Sequence, residues 1–179
     1  SDNKHQSSSS LIAGGVIHPM SFKRAILSWK ADSLIPTAKA YYDAFEATFK
    51  TKVFHKLGMT RVFSSMEEQN NWQGRMADSP MKEIIGDEEL SLAFPFGSGK
   101  VNMAGRLDVA LYLSRSKEFF KKEKIISEEQ FNYNQLTYSE TGVEYKGIEA
   151  ENIIFCEGFK INQNPYFNYI PLSPTKGEI

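Results

Sequence analysis

The sequence predicts an α+β fold, in which helices and strands are mixed without a repeating strand–helix–strand order. Amphipathic helix patterns occupy the first two thirds of the chain, strand-like stretches interrupt them, and short strands dominate after residue 135. A doubly wound parallel sheet would instead alternate strands and helices regularly. With 179 residues, 41% of them hydrophobic and 24% charged, the chain is predicted to form a single folded unit.

The two best-defined helices are predicted from apolar spacing and capping residues. Apolar residues recur at helical spacing from Ser33 to Phe49, and Ser33 or Asp32 can cap the start of that helix. A second helix is predicted to open at Ser65, where Glu68 completes a capping box. The first of these helices is expected to place its apolar face against a core.

The remaining elements are predicted from glycine, proline and β-branched residues. Ser79-Pro80 is expected to open a short helix that Gly86 ends, and a long helix is predicted from Arg106 to about Lys122. The stretch 94–99 contains proline and two glycines and is predicted to be a loop. The stretch 53–63, which contains Gly58, is predicted to be strand-like, and strands are predicted at 136–138, 143–145 and 152–155.

Charge and composition exclude several classes of partner. The chain carries 21 basic and 22 acidic residues, for a net charge of −1. Because it has no basic surplus, we expect no nucleic-acid partner. The apolar run 11–17 is too short to span a bilayer, so no membrane span is expected. The single cysteine, Cys156, follows an apolar run and is predicted to be a small buried hydrophobe in a reducing, cytoplasmic compartment.

The common catalytic motifs are missing. The three histidines, His5, His18 and His55, share no ligand spacing with each other or with Cys156, so no metal site is expected. The stretch 97–100, Gly-Ser-Gly-Lys, lacks the upstream glycine and the Ser or Thr of a phosphate-binding loop. No catalytic residue can therefore be assigned from the sequence.

Two glycine-containing segments remain as candidate ligand contacts. The first, Ser8–Gly15, combines hydroxyl groups with bare backbone N–H groups. The second, Ile153–Gly158, is an apolar stretch that ends in a glycine. Both are places where a flat or anionic ligand could contact backbone.

Taken in order, these segments resemble the middle of FAD-dependent oxidoreductases of the D-amino-acid oxidase and glycine oxidase superfamily. The resemblance is carried by Ser9-Ser10-Leu11-Ile12-Ala13-Gly14-Gly15-Val16-Ile17-His18-Pro19, by Lys23-Arg24 with Ser28-Trp29, by Ile153–Gly158 and by Leu172-Ser173-Pro174-Thr175-Lys176-Gly177-Glu178.

The resemblance implies which residues contact FAD. These are Ser8, Ser9, Ser10, Ala13, Gly14, Gly15 and Gly158. It assigns 1–19 and 151–179 to flavin-proximal segments and 20–150 to a substrate-covering domain, an antiparallel sheet flanked by helices. We therefore expect the dinucleotide-binding unit and the C-terminal flavin-binding segment to lie outside this chain.

The function implied by the resemblance is oxidation of a small-molecule amine or amino acid by hydride transfer to FAD. The chain alone is expected to be inactive and to depend on the FAD-binding half of the same protein as its partner. Lys176-Gly177-Glu178 stands where relatives often have Arg-Gly-Gln, which leaves the substrate open. The alternative is a non-catalytic ligand-binding or interaction module. A flavoprotein that acts on modified tRNA is a third hypothesis, against which the near-neutral charge counts.

Overall fold

A computed structural model describes residues 8–22, 25–77, 81–91 and 93–174 of the chain. Within them, the α-helices are α1 (Ser9–Ile12), α2 (Ala31–Phe49), α3 (Met66–Met76), α4 (Met81–Ile84) and α5 (Val109–Lys122). The strands are β1 (Val16–Ile17), β2 (Met20–Ser21), β3 (Ile26–Leu27), β4 (Phe54–Lys56), β5 (Met59–Val62), β6 (Ile85–Ser91), β7 (Phe94–Val101), β8 (Gly105–Leu107), β9 (Leu136–Ser139), β10 (Gly142–Tyr145) and β11 (Ile148–Ala150). Two 3₁₀ helices span Tyr133–Gln135 and Gly158–Gln163.

The strands form small antiparallel sheets among helices, which confirms the predicted α+β class. The contacts divide the chain into two compact units, where the sequence analysis expects one. The central unit is Gly14–Ser116, and the terminal unit joins Ser1–Ala13 to Lys117–Ile179. Each unit is described separately below.

The larger core of the central unit lies between α3 and the three-stranded sheet β5-β7-β6. Trp72 of α3 is only 2% exposed, and its ring centroid lies 5.4 Å from that of Phe63. The indole covers Gly99 at the middle of β7, where a methyl group would overlap it. The buried members of this core are Met20, Ala25, Phe63, Trp72, Met81, Ile84, Ile85, Val101 and Ala104.

The predicted loop at 94–99 is wrong, because this stretch begins β7, the central strand of that sheet. Residues 98–101 of β7 pair with all of β5, and Gly99 also lies opposite Glu88 of β6. Glycine is required at position 99 because the Trp72 ring occupies the space of a side chain. A glycine kept for packing was thus interpreted as a turn signal.

The capping box predicted for α3 is confirmed. Ser65 is the N-cap, and its hydroxyl accepts a hydrogen bond from the Glu68 N–H at 3.2 Å. The Glu68 carboxylate accepts the N–H of Ser64 at 2.8 Å and also contacts Arg61 at 2.7 Å. In the standard capping box the side chain at the third helical position accepts the N–H of the N-cap residue. Here the Glu68 carboxylate accepts the N–H of Ser64, the residue before the N-cap.

The second core of the central unit joins α2 and α5 to the sheet β1-β8-β4. Phe45, Val53 and Leu107 are buried in it. The Phe45 ring centroid lies 4.8 Å from that of Tyr112 on α5, which also packs against this core. Of the apolar face predicted for α2, Phe45 is therefore buried and Phe49 is half-buried, whereas Leu34 near the start of the helix remains 50% exposed.

The helices α2 and α5 begin at residues other than those predicted. The N-cap of α2 is Lys30, and Ser33 does not cap the helix, because its hydroxyl donates to the Lys30 carbonyl oxygen. The long helix begins at Val109 and not at Arg106, because Arg106 belongs to β8 and Asp108 Oδ1 accepts the Leu111 N–H at 3.0 Å.

The short helix after Ser79-Pro80 is present as α4, but Gly86 does not end it. The helix stops at Ile84, and Gly86 lies inside β6. Ser79 and Pro80 themselves lie outside the described residues. Ile84 and Ile85 are both buried in the larger core, so the chain passes from helix to strand without a glycine turn.

The terminal unit contains the three-stranded meander β9-β10-β11 and an aromatic cluster. Phe131 stacks on Tyr145 with ring centroids 4.4 Å apart. Phe155 packs edge-on against Phe131 and Phe167, at 5.8 and 5.7 Å. Aromatic packing thus takes the place of a large aliphatic core in this part of the chain, where Leu136 is a buried aliphatic residue.

Glu46 links the end of α2 to the start of β4. Its Oε1 accepts the backbone N–H groups of Val53 at 2.9 Å and Phe54 at 2.7 Å, and its Oε2 contacts the Lys52 ammonium at 2.7 Å. Desolvation alone would raise the pKa of Glu46, but the Lys52 ammonium and the two N–H donors outweigh it and lower the pKa to about 2. The carboxylate therefore satisfies two backbone donors where the chain enters β4.

We expect Glu46→Ala to destabilise the central unit by about 1–3 kcal/mol, because it leaves partly buried N–H donors unpaired. Asp43→Ala is the matched control, since Asp43 only pairs with Lys39 on the exposed face of the same helix, and should cost within about 0.5 kcal/mol. Urea unfolding of the 179-residue chain measures both. Equal stability of the two variants would contradict this role of Glu46.

The same link predicts a pH dependence. The folded pKa of Glu46, about 2, lies below its ordinary value of 4.5, so its stabilising contribution is complete above pH 4.5 and is lost as the pH falls toward 2. The stability difference between wild type and Glu46→Ala should therefore shrink across that interval. A difference that stays constant between pH 4.5 and 2 would contradict the assignment.

Candidate functional site

The serine segment begins the terminal unit at the four-residue helix α1. Ser8 is the N-cap of α1, yet its side chain makes no capping hydrogen bond. Ser9 and Ser10 are exposed, and Ala13 is the exposed C-cap. The Leu11 N–H donates to the Ser8 carbonyl oxygen at 3.1 Å, so the backbone forms a turn at the start of this segment. The hydroxyls of this segment are therefore not used to cap the helix.

The two adjacent glycines belong to the central unit and are fixed by β8. The Gly14 carbonyl oxygen accepts from Arg106 Nε at 3.3 Å, and the Gly15 carbonyl oxygen accepts the Leu107 N–H at 2.8 Å. Gly15 has φ +70°, and a Cβ there would lie 2.1 Å from the Leu107 carbonyl oxygen. The sequence predicts a ligand contact at this glycine, whereas the group that the structure places against it is strand β8.

Gly158 differs from Gly15, because the space beside it is open. It has φ +59°, and a Cβ built on it would meet no atom within 4 Å. A left-handed glycine with free space can present bare backbone to a flat ligand. The space beside Gly158 is thus unoccupied by other residues, whereas the missing side chain of Gly15 is explained by β8.

The segment before Gly158 has the sequence of a buried strand but lies outside the sheets. Residues 152–157 have no regular secondary structure, so the strand predicted at 152–155 is wrong. Ile154 is 83% exposed and is the most exposed large apolar side chain in the described part of the chain. Cys156 is a free, exposed cysteine, so its predicted burial is also wrong. Both errors follow from the absence of a described strand that pairs with this segment.

A side-chain network at this segment was missed by the sequence reasoning. The Tyr133 hydroxyl donates to one carboxylate oxygen of Glu157, and Asn164 Nδ2 donates to the other at 2.8 Å. Burial, and then the hydrogen bond to the Glu157 carboxylate, raise the pKa of Tyr133 to about 12. Tyr133 and Glu157 lie 24 residues apart in sequence, so no local pattern joins them. The one feature of the sequence that could have indicated this network is the position of Glu157, an acidic residue between an apolar run and Gly158.

The structure does not join all the predicted residues in one compact unit. Ser8, Ser9, Ser10 and Ala13 belong to the terminal unit with Gly158, whereas Gly14 and Gly15 belong to the central unit. Among the described residues, no hydrogen bond links the serine segment to Gly158. The residues Lys23-Arg24, His5 and Lys176-Gly177-Glu178 lie outside the described part of the chain.

Metal chemistry finds no support in the described side chains. No group of three or more His, Cys, Asp or Glu residues with the geometry of a metal site occurs among them. His18 stacks on Phe22 with ring centroids 4.8 Å apart and packs as a ring in the central unit. None of the helices described here is long and apolar enough to cross a bilayer.

Comparisons with known proteins return neither a family nor a fold relative. No protein-family model and no solved structure matches this chain.

Proposed function

We propose that this chain is the substrate-side part of an FAD-dependent oxidoreductase that oxidises an amine or amino acid. The observation that carries the proposal is the segment 152–157, which is apolar and β-branched in sequence but neither paired nor buried. Ile154 is 83% exposed there. A strand-like segment that lies outside every described sheet and holds a large apolar side chain in water is what we expect when the sheet to which it belongs is supplied by another part of the same protein.

The serine segment supports the same proposal. Leu11 is 50% exposed and Ile12 is 67% exposed on a helix of one turn. The two segments that the resemblance assigns to flavin thus both place large apolar side chains in water. We propose that the FAD-binding half of the protein covers them.

In this proposal the cofactor would supply the redox chemistry, by accepting a hydride from the carbon next to the amine. Ser8, Ser9, Ser10, Ala13, Gly14 and Gly158 would hold FAD through hydroxyls and backbone N–H groups. The substrate-covering domain, 20–150, would exclude water from the reacting carbon. The exposed free thiol of Cys156 is compatible with the reducing compartment that we propose, the cytoplasm.

The direct test is the visible absorption spectrum of the full-length gene product, with the 179-residue chain as the control. We expect the bands of oxidised flavin in the full-length protein and none in the 179-residue chain. A full-length protein that stays colourless after incubation with FAD would overturn the proposal. It would favour the alternative, a non-catalytic ligand-binding or interaction module.

A substitution at Ile154 tests whether the exposed segment is covered. In the full-length protein, Ile154→Gln should raise the FAD dissociation constant by about tenfold, because it places a polar group in an apolar interface. In the 179-residue chain the same change should alter stability by less than about 0.5 kcal/mol, because the side chain is already in water.

The matched control is Ile148→Gln. Ile148 is 66% exposed on β11, in the same unit but outside the proposed flavin-proximal contacts. It should leave FAD affinity unchanged in the full-length protein. Equal effects of the two substitutions on the FAD dissociation constant would contradict a covered Ile154.

A further inference from the structure

The backbone before and after Gly158 is held by one carboxylate. Glu157 is the N-cap of the 3₁₀ helix Gly158–Gln163, and Asn164 is its C-cap. The Glu157 carboxylate accepts from Asn164 Nδ2 at 2.8 Å, so the side chains at the two ends of this helix are hydrogen-bonded to each other. The Tyr133 hydroxyl donates to the remaining carboxylate oxygen. We call these three residues the Glu157 clasp.

The nitrogen and the oxygen of the Asn164 side-chain amide are both hydrogen-bonded. Asn164 is fully buried, at 0% exposure. Its Nδ2 donates to Glu157, and its Oδ1 accepts the Tyr166 backbone N–H at 2.9 Å. Because a buried amide is costly without partners, its hydrogen bonds fix the position of the Glu157 carboxylate.

The clasp stabilises a backbone form that has little local support. Runs of 3₁₀ helix longer than three or four residues are uncommon, yet this one spans six residues. Gly158 has φ +59° and no atom within 4 Å of the position of a Cβ. Packing at the Cβ position therefore does not hold the Gly158 backbone, whereas the hydrogen bonds of the clasp act on residues that flank it.

Aromatic packing keeps the Tyr133 hydroxyl in place. The Tyr133 ring centroid lies 6.3 Å from those of both Phe155 and Tyr166. A tyrosine hydroxyl is already neutral, and therefore a donor, across the physiological range, and the raised pKa of Tyr133 extends this to higher pH. The acceptor it meets is on Glu157, the residue that precedes Gly158.

We propose that Tyr133, Glu157 and Asn164 are positioning residues that hold the Gly158 backbone where it contacts FAD. This inference rests on the proposed function and adds to it three residues that the resemblance does not assign. None of the three is proposed to contact the reacting atoms. They act through the backbone of Gly158.

The test compares two single hydroxyl deletions in the full-length protein. Tyr133→Phe removes the donor to Glu157 and keeps the ring, and it should raise the FAD dissociation constant by about tenfold. Tyr138→Phe is the matched control, because Tyr138 also packs on Tyr166, with ring centroids 5.3 Å apart, but has no bond to Glu157. It should leave FAD affinity unchanged.

A second series tests the carboxylate itself. Glu157→Ala should weaken FAD binding at least as much as Tyr133→Phe, and Glu157→Gln should restore part of the loss because it keeps one acceptor oxygen for Tyr133. The visible circular dichroism of bound FAD should change in the weakened variants, because the flavin sits differently against Gly158. Thermal unfolding of each variant, measured in parallel, reports any purely structural effect.

The outcomes separate the two proposals. A wild-type full-length protein without flavin would overturn both the proposed function and this inference. A wild-type protein that holds FAD, with Tyr133→Phe equal to Tyr138→Phe in FAD dissociation constant and visible circular dichroism, would overturn the clasp alone, even if Tyr133→Phe lowered the unfolding temperature.

Discussion

Replacing Gly99 with alanine is expected to destabilise the central unit by about 3 kcal/mol, at the upper end of overpacking costs. A Cβ at this position would lie 2.2 Å from Cε2 and 2.5 Å from Cζ2 of Trp72. The indole cannot withdraw easily, because it is 2% exposed and packs against Phe63. Gly99 cannot withdraw either, because it pairs with strands on both sides.

Gly74→Ala is the control for this experiment. Gly74 lies in α3, two residues after Trp72, and a Cβ there would meet nothing within 4 Å. Alanine should stabilise this helix position by up to about 1 kcal/mol. Urea unfolding followed by far-ultraviolet circular dichroism measures both variants, and a Gly99→Ala chain as stable as Gly74→Ala would refute the packing argument.

A double-mutant cycle identifies the indole as the cause. Trp72→Phe alone should destabilise the chain, because a smaller ring leaves a cavity in the larger core. Combined with Gly99→Ala, it should cost less than the sum of the two single changes, because the new methyl group enters the space that the indole vacates. Additive costs would show that Gly99→Ala acts through some other contact.

Gly15→Ala is expected to destabilise the central unit by about 2–3 kcal/mol. Gly15 has φ +70°, and the new Cβ would lie 2.1 Å from the Leu107 carbonyl oxygen and 3.0 Å from Val109 Cγ2. The Leu107 oxygen is backbone and belongs to β8, so it cannot rotate away. Relief of the clash would separate Gly15 from β8 and break the hydrogen bond from the Leu107 N–H to Gly15.

Gly58→Ala provides the comparison within the same unit. A Cβ at Gly58 would meet no atom within 4 Å, and the position does not need a positive φ. We expect its stability to stay within about 0.5 kcal/mol of wild type. Urea unfolding of the 179-residue chain without FAD is the measurement, and equal midpoints for the two variants would contradict the argument.

The Gly15 result also decides how flavin experiments are interpreted. A loss of FAD from a full-length Gly15→Ala variant would follow from the collision with β8 and would not demonstrate contact with the cofactor. Gly158→Ala is more informative, because the side chain enters open space. At Gly158 the new side chain destabilises the chain only through the positive φ of the backbone. A loss of FAD from this variant would therefore indicate that Gly158 contacts the cofactor.

The parts of the fold that were predictable from sequence depend on neighbours within a few residues. The capping box of Ser65 and Glu68 needs a separation of only three residues, and it is present. The strand-like character of 53–63 was also predicted correctly, since β4 and β5 both lie within this stretch. The β-branched and aromatic residues that favour these strands lie within the strands themselves, so the pattern can be recognised without knowledge of distant contacts.

The parts that were not predictable depend on contacts distant in sequence. Glycine at position 99 is compatible with a turn until Trp72 is known to cover it. The segment 152–155 has an ordinary strand pattern, but a strand also needs a partner, which no local pattern supplies. In the candidate site, the glycine pair indicated that backbone is contacted, but neither its partner, strand β8, nor the bond from Tyr133 to Glu157 was predictable from a local pattern.

The sheet β1-β8-β4 has a consequence for the order in which the chain folds. The contact that ties Gly14 to Arg106 spans 92 residues, whereas the link from Glu46 to Val53 spans seven. Closing a long loop costs more entropy than closing a short one, so the turn between α2 and β4 can form early, and β1 can join β8 only after the intervening chain has become compact. The Gly14-Gly15 segment is therefore expected to be among the last parts of the central unit to reach its final position during folding.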